Sequence, residues 1–141
     1  MFKKILVPTD ASQFSRRAFI VALDLAKILG AEVELFHVSH LSEVFMGYTV
    51  SYGVAISQSD LDKNGEIALD ITMENLDITV PVTRKLKSGH PVSTIIEEIK
   101  EANIDLVVMG SHGYGVIAGS VMGSVSQRVL QRTECPVLIV K

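Results

Sequence analysis

The sequence predicts an α/β protein: a doubly wound, five-stranded parallel sheet with helices on both faces. Short, mainly apolar runs such as Ile5-Leu6-Val7 and Ile104-Asp105-Leu106-Val107-Val108 have the length and composition of strands buried on both sides. Between such runs lie longer segments with apolar residues at helical spacing, so strands and helices alternate along the chain. A third observation marks where the chemistry lies. From Met109 to Leu130 the sequence MGSHGYGVIAGSVMGSVSQRVL follows a strand, carries five glycines and then opens a helix.

Taken in order, Ile5-Leu6-Val7 is a central strand ended by Pro8-Thr9-Asp10. A helix starts at Ser12, with Ala18, Val21, Ala22, Leu25, Ile28 and Leu29 as its apolar face and Gly30 as its stop. Ala31 to Ser39 is the second strand. His40 to Ile56 has no clear period; with Phe45, Met46, Tyr48, Tyr52 and Val54 it reads as a pocket cover or an apolar contact surface. Ser57 to Leu76 is a second helix, with Leu61, Ala68, Leu69, Thr72 and Leu76 on one face and Gly65 as a weak point. Ile78 to Leu86 is a strand that Pro81 consigns to the sheet edge, because proline has no N–H for a ladder. Pro91 begins a third helix, whose face is Val92, Ile95, Ile96 and Ile99. Ile104 to Met109 is the fourth strand, and the last helix runs to about Thr133. Ser124 is expected to cap it, with Gln127 completing a capping box. Pro136 opens a final strand, Val137 to Val140. Crossovers between parallel strands are expected to be right-handed.

The composition limits the function. At 141 residues the chain is expected to form one domain, 1–141, large enough to bury about two-thirds of its unfolded surface. Hydrophobic residues make up 48% and charged residues 21%, an ordinary globular balance. A net charge of −3 offers no basic surface for nucleic acid or membrane lipid. No apolar run approaches the ~20 residues of a membrane span, and the N-terminus enters a strand with no signal peptide. The single Cys135 forms no internal disulfide and suits a reducing, cytoplasmic compartment; before a proline and a strand it reads as a packed residue.

Strand, glycine loop and helix N-terminus together form a phosphate-binding arrangement. Glycines let the backbone approach, and the helix end adds partial positive charge. The Walker pattern is absent, since Gly123 is followed by Ser124 where it needs Lys. Gly113-Tyr114-Gly115-Val116-Ile117-Ala118 matches the dinucleotide pattern literally, but it follows the fourth strand and not the first, so it is a chance match. Asp10, at the end of the first strand, is placed to accept hydrogen bonds from ribose or adenine or to hold a metal; capping the helix near Ser12 is an equal alternative. His37 and His112 have no partners at metal or catalytic spacing. His37 reads as satisfied locally, and His112, on the loop, as exposed to solvent, with a polar ligand contact as the alternative.

Gly110, two residues, Gly113, nine residues and then Gly123-Ser124 resembles the ATP-binding signature of the universal stress protein family. Asp105 to Lys141 and Lys3-Lys4-Ile5-Leu6-Val7-Pro8-Thr9-Asp10 resemble that family as well, and only about Ser39 to Ser57 stands apart. The resemblance implies a Rossmann-like sheet of order 3-2-1-4-5. That order brings the loops after Val7 and after Met109 together at the topological switch point. It implies a nucleoside against Pro8, Thr9 and Asp10, adenine on Val38 and Met109, and phosphates at Gly110, Gly113, Gly123, Ser124 and Val125. It further implies ATP, or AMP or ADP, as the ligand, and action in stress response or signalling through a protein partner.

Many family members carry a basic residue where this chain has Tyr114, and no Lys or Arg occurs between Lys100 and Arg128. A divalent cation, Mg2+ or Mn2+, is therefore expected with ATP. Two rivals are a same-fold interaction protein with an unused nucleotide site and a slow ATP-hydrolysing enzyme. No base and nucleophile are assembled, so catalytic turnover is expected to be slow at most. The chain stops at Lys141, directly after Val137-Leu138-Ile139-Val140. An edge strand that apolar is expected to pair with a second copy as a homodimer, as the resemblance also implies.

Overall fold

The computed structural model describes residues 1–40, 51–53, 57–114, 119 and 121–141. The expectation for residues 40–56 therefore falls largely outside the described residues. The elements run β1 (Lys4–Pro8), α1 (Gln13–Leu29), β2 (Glu32–Ser39), α2 (Gln58–Met73), β3 (Val82–Ser88), α3 (Pro91–Glu101), β4 (Leu106–Gly110), α4 (Ser124–Arg132) and β5 (Val137–Val140). The five strands form one sheet in the order β3-β2-β1-β4-β5, and every neighbouring pair is parallel.

Alternation along the strands divides the core into two layers. Ile5, Val7, Val33, Leu35, Leu106 and Val108 pack under α1 and α2 with Phe19, Ala22 and Leu69. Leu6, Phe36, Val107 and Met109 face the opposite side and pack under α3 and α4 with Val92, Ile95, Ile99 and Val129. Each fully buried large side chain is worth about 1.5–3 kcal/mol. This two-sided burial is why the central strands are unbroken apolar runs.

Several local expectations are corrected by packing. The buried face of α1 is Ser15, Ala18, Phe19, Ala22 and Ala26, whereas Ile28 is 79% exposed. Six residues beyond Ala22, Ile28 lies about 120° round the helix from the core. α2 ends at Met73, where Asn75 turns left-handed at φ 57°; Leu76 still packs on the core from outside the helix. Gly65 lies buried within α2, facing β3. A Cβ there would collide with the Leu86 side chain, so glycine lets α2 lie close to β3. β3 begins at Val82 because its register starts at Val33↔Val82; Pro81 precedes it and offers its carbonyl to Val33 N–H. β4 starts at Leu106, two residues later than expected. Ile104 closes α3 through a bond to Ile99, and Asp105 accepts the N–H groups of Lys3 and Lys4.

The capping box at α4 does not form. Gly123 is the N-cap, its carbonyl accepts Gln127 N–H, and Ser124 is the first helical residue. Ser57 and Asp60 form such a box on α2 instead.

The α3 layer also buries charge. Glu34 on β2 and Glu98 on α3 are 3% and 0% exposed. Glu98 pairs with Lys85 and, at 2.6 Å, with Lys87; Lys4 Nζ lies 3.7 Å from Glu34.

Candidate functional site

The site lies where the sheet order reverses. β1 has β2 on one side and β4 on the other, so the connections leaving β1 and β4 emerge side by side beyond the carboxyl ends of their strands. Between them opens a cavity of about 350 Å³. Pro8, Thr9, Asp10, Val38, Met109, Gly110, Gly113, Gly123, Ser124 and Val125 all line it, so the structure brings together every residue singled out from the sequence.

The β1–α1 turn is held by a dense set of side-chain bonds. Thr9 N–H bonds to Phe36 O at 2.8 Å, which keeps β1 tied to β2. Its buried hydroxyl meets Thr72 at 2.7 Å, Ser15 at 3.0 Å and Ala11 N–H at 3.0 Å, so it is committed to the fold. Ser12 caps α1 by accepting Ser15 N–H. Asp10 Oδ1 accepts Ser12 N–H at 2.9 Å and the Ser15 hydroxyl at 3.1 Å. Capping support is therefore part of the role of Asp10. Its other oxygen, Oδ2, faces the glycine loop, and a Cβ on Gly113 would collide with it.

The glycines serve different purposes. A Cβ on Gly110 would lie 2.7–2.9 Å from Phe14, so glycine there lets α1 pack closely on the end of β4. A Cβ on Gly123 would press on His112 Cα at 3.2 Å. Gly123 N–H bonds to Ser111 O at 2.6 Å, and Ser111 N–H to Val140 O at 2.8 Å, which anchors the loop to β5. The hydroxyl of Ser126 donates to Gly110 O at 2.7 Å, tying α4 back to β4. The N–H groups of Ser124, Val125 and Ser126, in the first turn of α4, have no acceptor within their helix, and all three residues line the cavity. They form the donor end of the site.

The opposite wall is largely apolar. Phe36 and Val38 come from β2, Pro91 and Ile95 from α3, and Met109 from β4. Sequence reasoning missed Phe36, Pro91 and Ile95, which read as core or as a helix start. Phe36 was findable, since it lies two residues before Val38 and shares its face. His37 Nδ1–H donates to Thr9 O at 2.7 Å, so it is satisfied across the strand pair as expected while also lining the cavity. His112 is not a solvent-exposed residue: its Nδ1 lies 3.0 Å from the Ser111 hydroxyl and its ring packs 5.3 Å from that of Phe14. Tyr114 reaches over the turn, and its hydroxyl donates to Ala11 O at 2.8 Å. Among the described residues the lining holds no Lys or Arg and no group of three or more metal-ligating side chains. Cys135 packs beneath α3 and α4, where burial pushes its thiol up.

Comparison with known proteins agrees with this geometry. A universal stress protein of Methanocaldococcus jannaschii is 32% identical over 142 residues, spanning all of this chain and 83% of the relative. The solved structure of protein MJ0577 matches with a TM-score of 0.81 at 27% identity, covering all of this chain and 96% of that one. The structure of a universal stress protein in complex with cAMP matches with a TM-score of 0.64 at 25% identity, covering 99% of this chain and 96% of that one. The sequence matches the universal stress protein family from residue 1 to residue 141, and the chain belongs to that family.

Proposed function

We propose that this chain binds an adenine nucleotide in the switch-point cavity and acts in stress response or signalling through a nucleotide-dependent partner. The observation that carries the reading is the convergence of three chemistries on one cavity. Val38, Ile95 and Met109 give an apolar slot for a base, Asp10 gives an acceptor for ribose hydroxyls, and the first turn of α4 gives N–H donors for phosphate. A related structure holding cAMP supports an adenine ligand. ATP is bound together with Mg2+ or Mn2+, which supplies the positive charge that the lining lacks. The chain acts as a single domain and as a homodimer paired through Val137–Val140, in the cytoplasm.

Mass spectrometry of the nucleotide released from freshly purified, acid-denatured protein tests the reading. An adenine nucleotide at near-stoichiometric yield is expected. Protein that releases none, and that binds none in calorimetry at millimolar nucleotide, contradicts it.

A further inference from the structure

We infer that His40 and His90 form a binding site for a divalent transition cation of the Zn2+, Ni2+ or Cu2+ class, separate from the switch-point cavity. Two neighbouring parallel strands deliver the pair. β2 and β3 end in register at Ser39↔Ser88, and the chain continues from them into His40 and into Gly89-His90. The two imidazole rings meet edge to face, with centroids 5.7 Å apart and planes at 74°. Neither histidine lines the cavity.

The backbone under the pair is held in place. Gly89 N–H bonds to Ser39 O at 3.0 Å, and Ser39 Oγ donates to Leu61 O at 3.2 Å. Gly89 has φ 149°, and a Cβ there would lie 2.7 Å from Thr94 Oγ1, so glycine permits the tight passage from β3 into α3. His90 O accepts Thr94 N–H at 3.0 Å and the Ser93 hydroxyl at 3.3 Å. His90 is the N-cap of α3, yet its ring makes no capping bond.

The rings also present suitable atoms. His40 Nδ1 lies 3.2 Å from Gly89 O. A carbonyl only accepts, so Nδ1 carries the hydrogen and Nε2 carries the lone pair. Metal-ligating imidazoles adopt this arrangement, donating one ring N–H to a backbone carbonyl and offering the other nitrogen. Metal–nitrogen bonds of about 2.0–2.1 Å put two imidazoles on one ion with centroids roughly 4.5–6 Å apart. The pair therefore already stands at ligation distance. Both residues are exposed, so their rings turn at little cost and water completes the coordination. Imidazole nitrogen selects borderline first-row ions over Mg2+ and Ca2+, which take oxygen ligands. Two protein ligands beside the partial positive charge of the α3 N-terminus hold the affinity to the micromolar range.

Calorimetric titration of the metal-free protein with Zn2+ tests the inference. One ion is expected to bind at micromolar affinity, and millimolar Mg2+ is expected not to displace it. His40→Gln and His90→Gln are each expected to weaken Zn2+ binding at least about tenfold, and Cys135→Ser to leave it unchanged. Both histidines are exposed, so the metal-free variants are expected to melt with the unmodified protein. In NMR spectra, substoichiometric Ni2+ is expected to broaden the ring signals of His40 and His90 before those of His37 and His112. Full Zn2+ affinity in either histidine variant, displacement by Mg2+, loss of binding in Cys135→Ser, or no binding by the unmodified protein overturns the inference.

Discussion

Glu34 of β2 and Glu98 of α3 are buried carboxyl groups, 3% and 0% exposed, and each shifts the titration of the other. Burial pushes Glu34 up to about 7, and the bond to Glu98 and its charge push the same way, against Lys85 and Lys4. Burial also acts to raise Glu98, but hydrogen bonds from Lys85, Lys87 and Glu34 outweigh it and hold Glu98 at about 2. Of the two, Glu34 is therefore the carboxyl group that favours its neutral form. As two carboxylates the pair would leave Glu34 Oε1 with no donor. A carboxyl group raised above its ordinary value of 4.5 contributes stability that is full below that value and is lost as pH rises through about 7. Glu98 works in the other direction, contributing above 4.5 and losing that contribution as pH falls through about 2. The protein is expected to lose thermal stability between about pH 5 and about pH 8. Glu34→Gln keeps a neutral donor toward Glu98 and is expected to flatten that slope. Equal slopes in the two proteins would show that Glu34 does not carry the proton.

Gly110 and Gly113 belong to one motif but are predicted to fail differently. Gly110→Ala drives a methyl group into the α1 backbone at Phe14 and is expected to cost about 1–3 kcal/mol in urea denaturation. Gly113→Val pushes the Asp10 carboxylate aside at the cavity edge. It is expected to weaken nucleotide binding by more than about tenfold, with the circular dichroism spectrum preserved. Unchanged affinity in Gly113→Val would remove the loop from the binding site.

Metal dependence of ATP binding follows from the cavity lining, in which the described residues include no Lys or Arg. Adding EDTA to a saturated ATP complex is expected to lower affinity about tenfold or more, while leaving AMP binding nearly unchanged. Equal ATP affinity with and without metal would mean that backbone donors suffice.

β5 lies at the sheet edge with Leu138 39% exposed and Val137, Ile139 and Val140 half-buried. Its outer N–H and C=O row, beside an apolar surface, favours pairing with a second copy about a two-fold axis. Light scattering at micromolar concentration is expected to give a dimer, and Ile139→Lys a monomer. A monomeric unmodified protein rules out the pairing, and a dimer that survives both Ile139→Lys and Leu138→Pro moves the interface elsewhere.

The sequence by itself determined the features that rest on local pattern. The central strands are legible because both faces are buried, so no polar residue interrupts Ile5-Leu6-Val7. Gly30 at φ 64° and Pro91 at the start of α3 mark helix ends by backbone geometry alone. The loops after β1 and β4 were each recognisable as site segments, and the sheet order that joins them came from family resemblance.

Tertiary structure decided what depends on partners distant in sequence. The first residue of β3 follows from its register against Val33, which no local signal near Pro81 carries. Phe36, Pro91 and Ile95 became cavity wall only when β2 and α3 were set facing each other. The reasons for Gly65, Gly110 and Gly113 lie in Leu86, Phe14 and Asp10, residues 21 to 103 positions away. Glu34 and Glu98 carry no sequence signal of burial, and the sheet and α3 close over both. A side chain's dielectric and its hydrogen-bond partners are properties of the packed interior, and sequence spacing does not encode them.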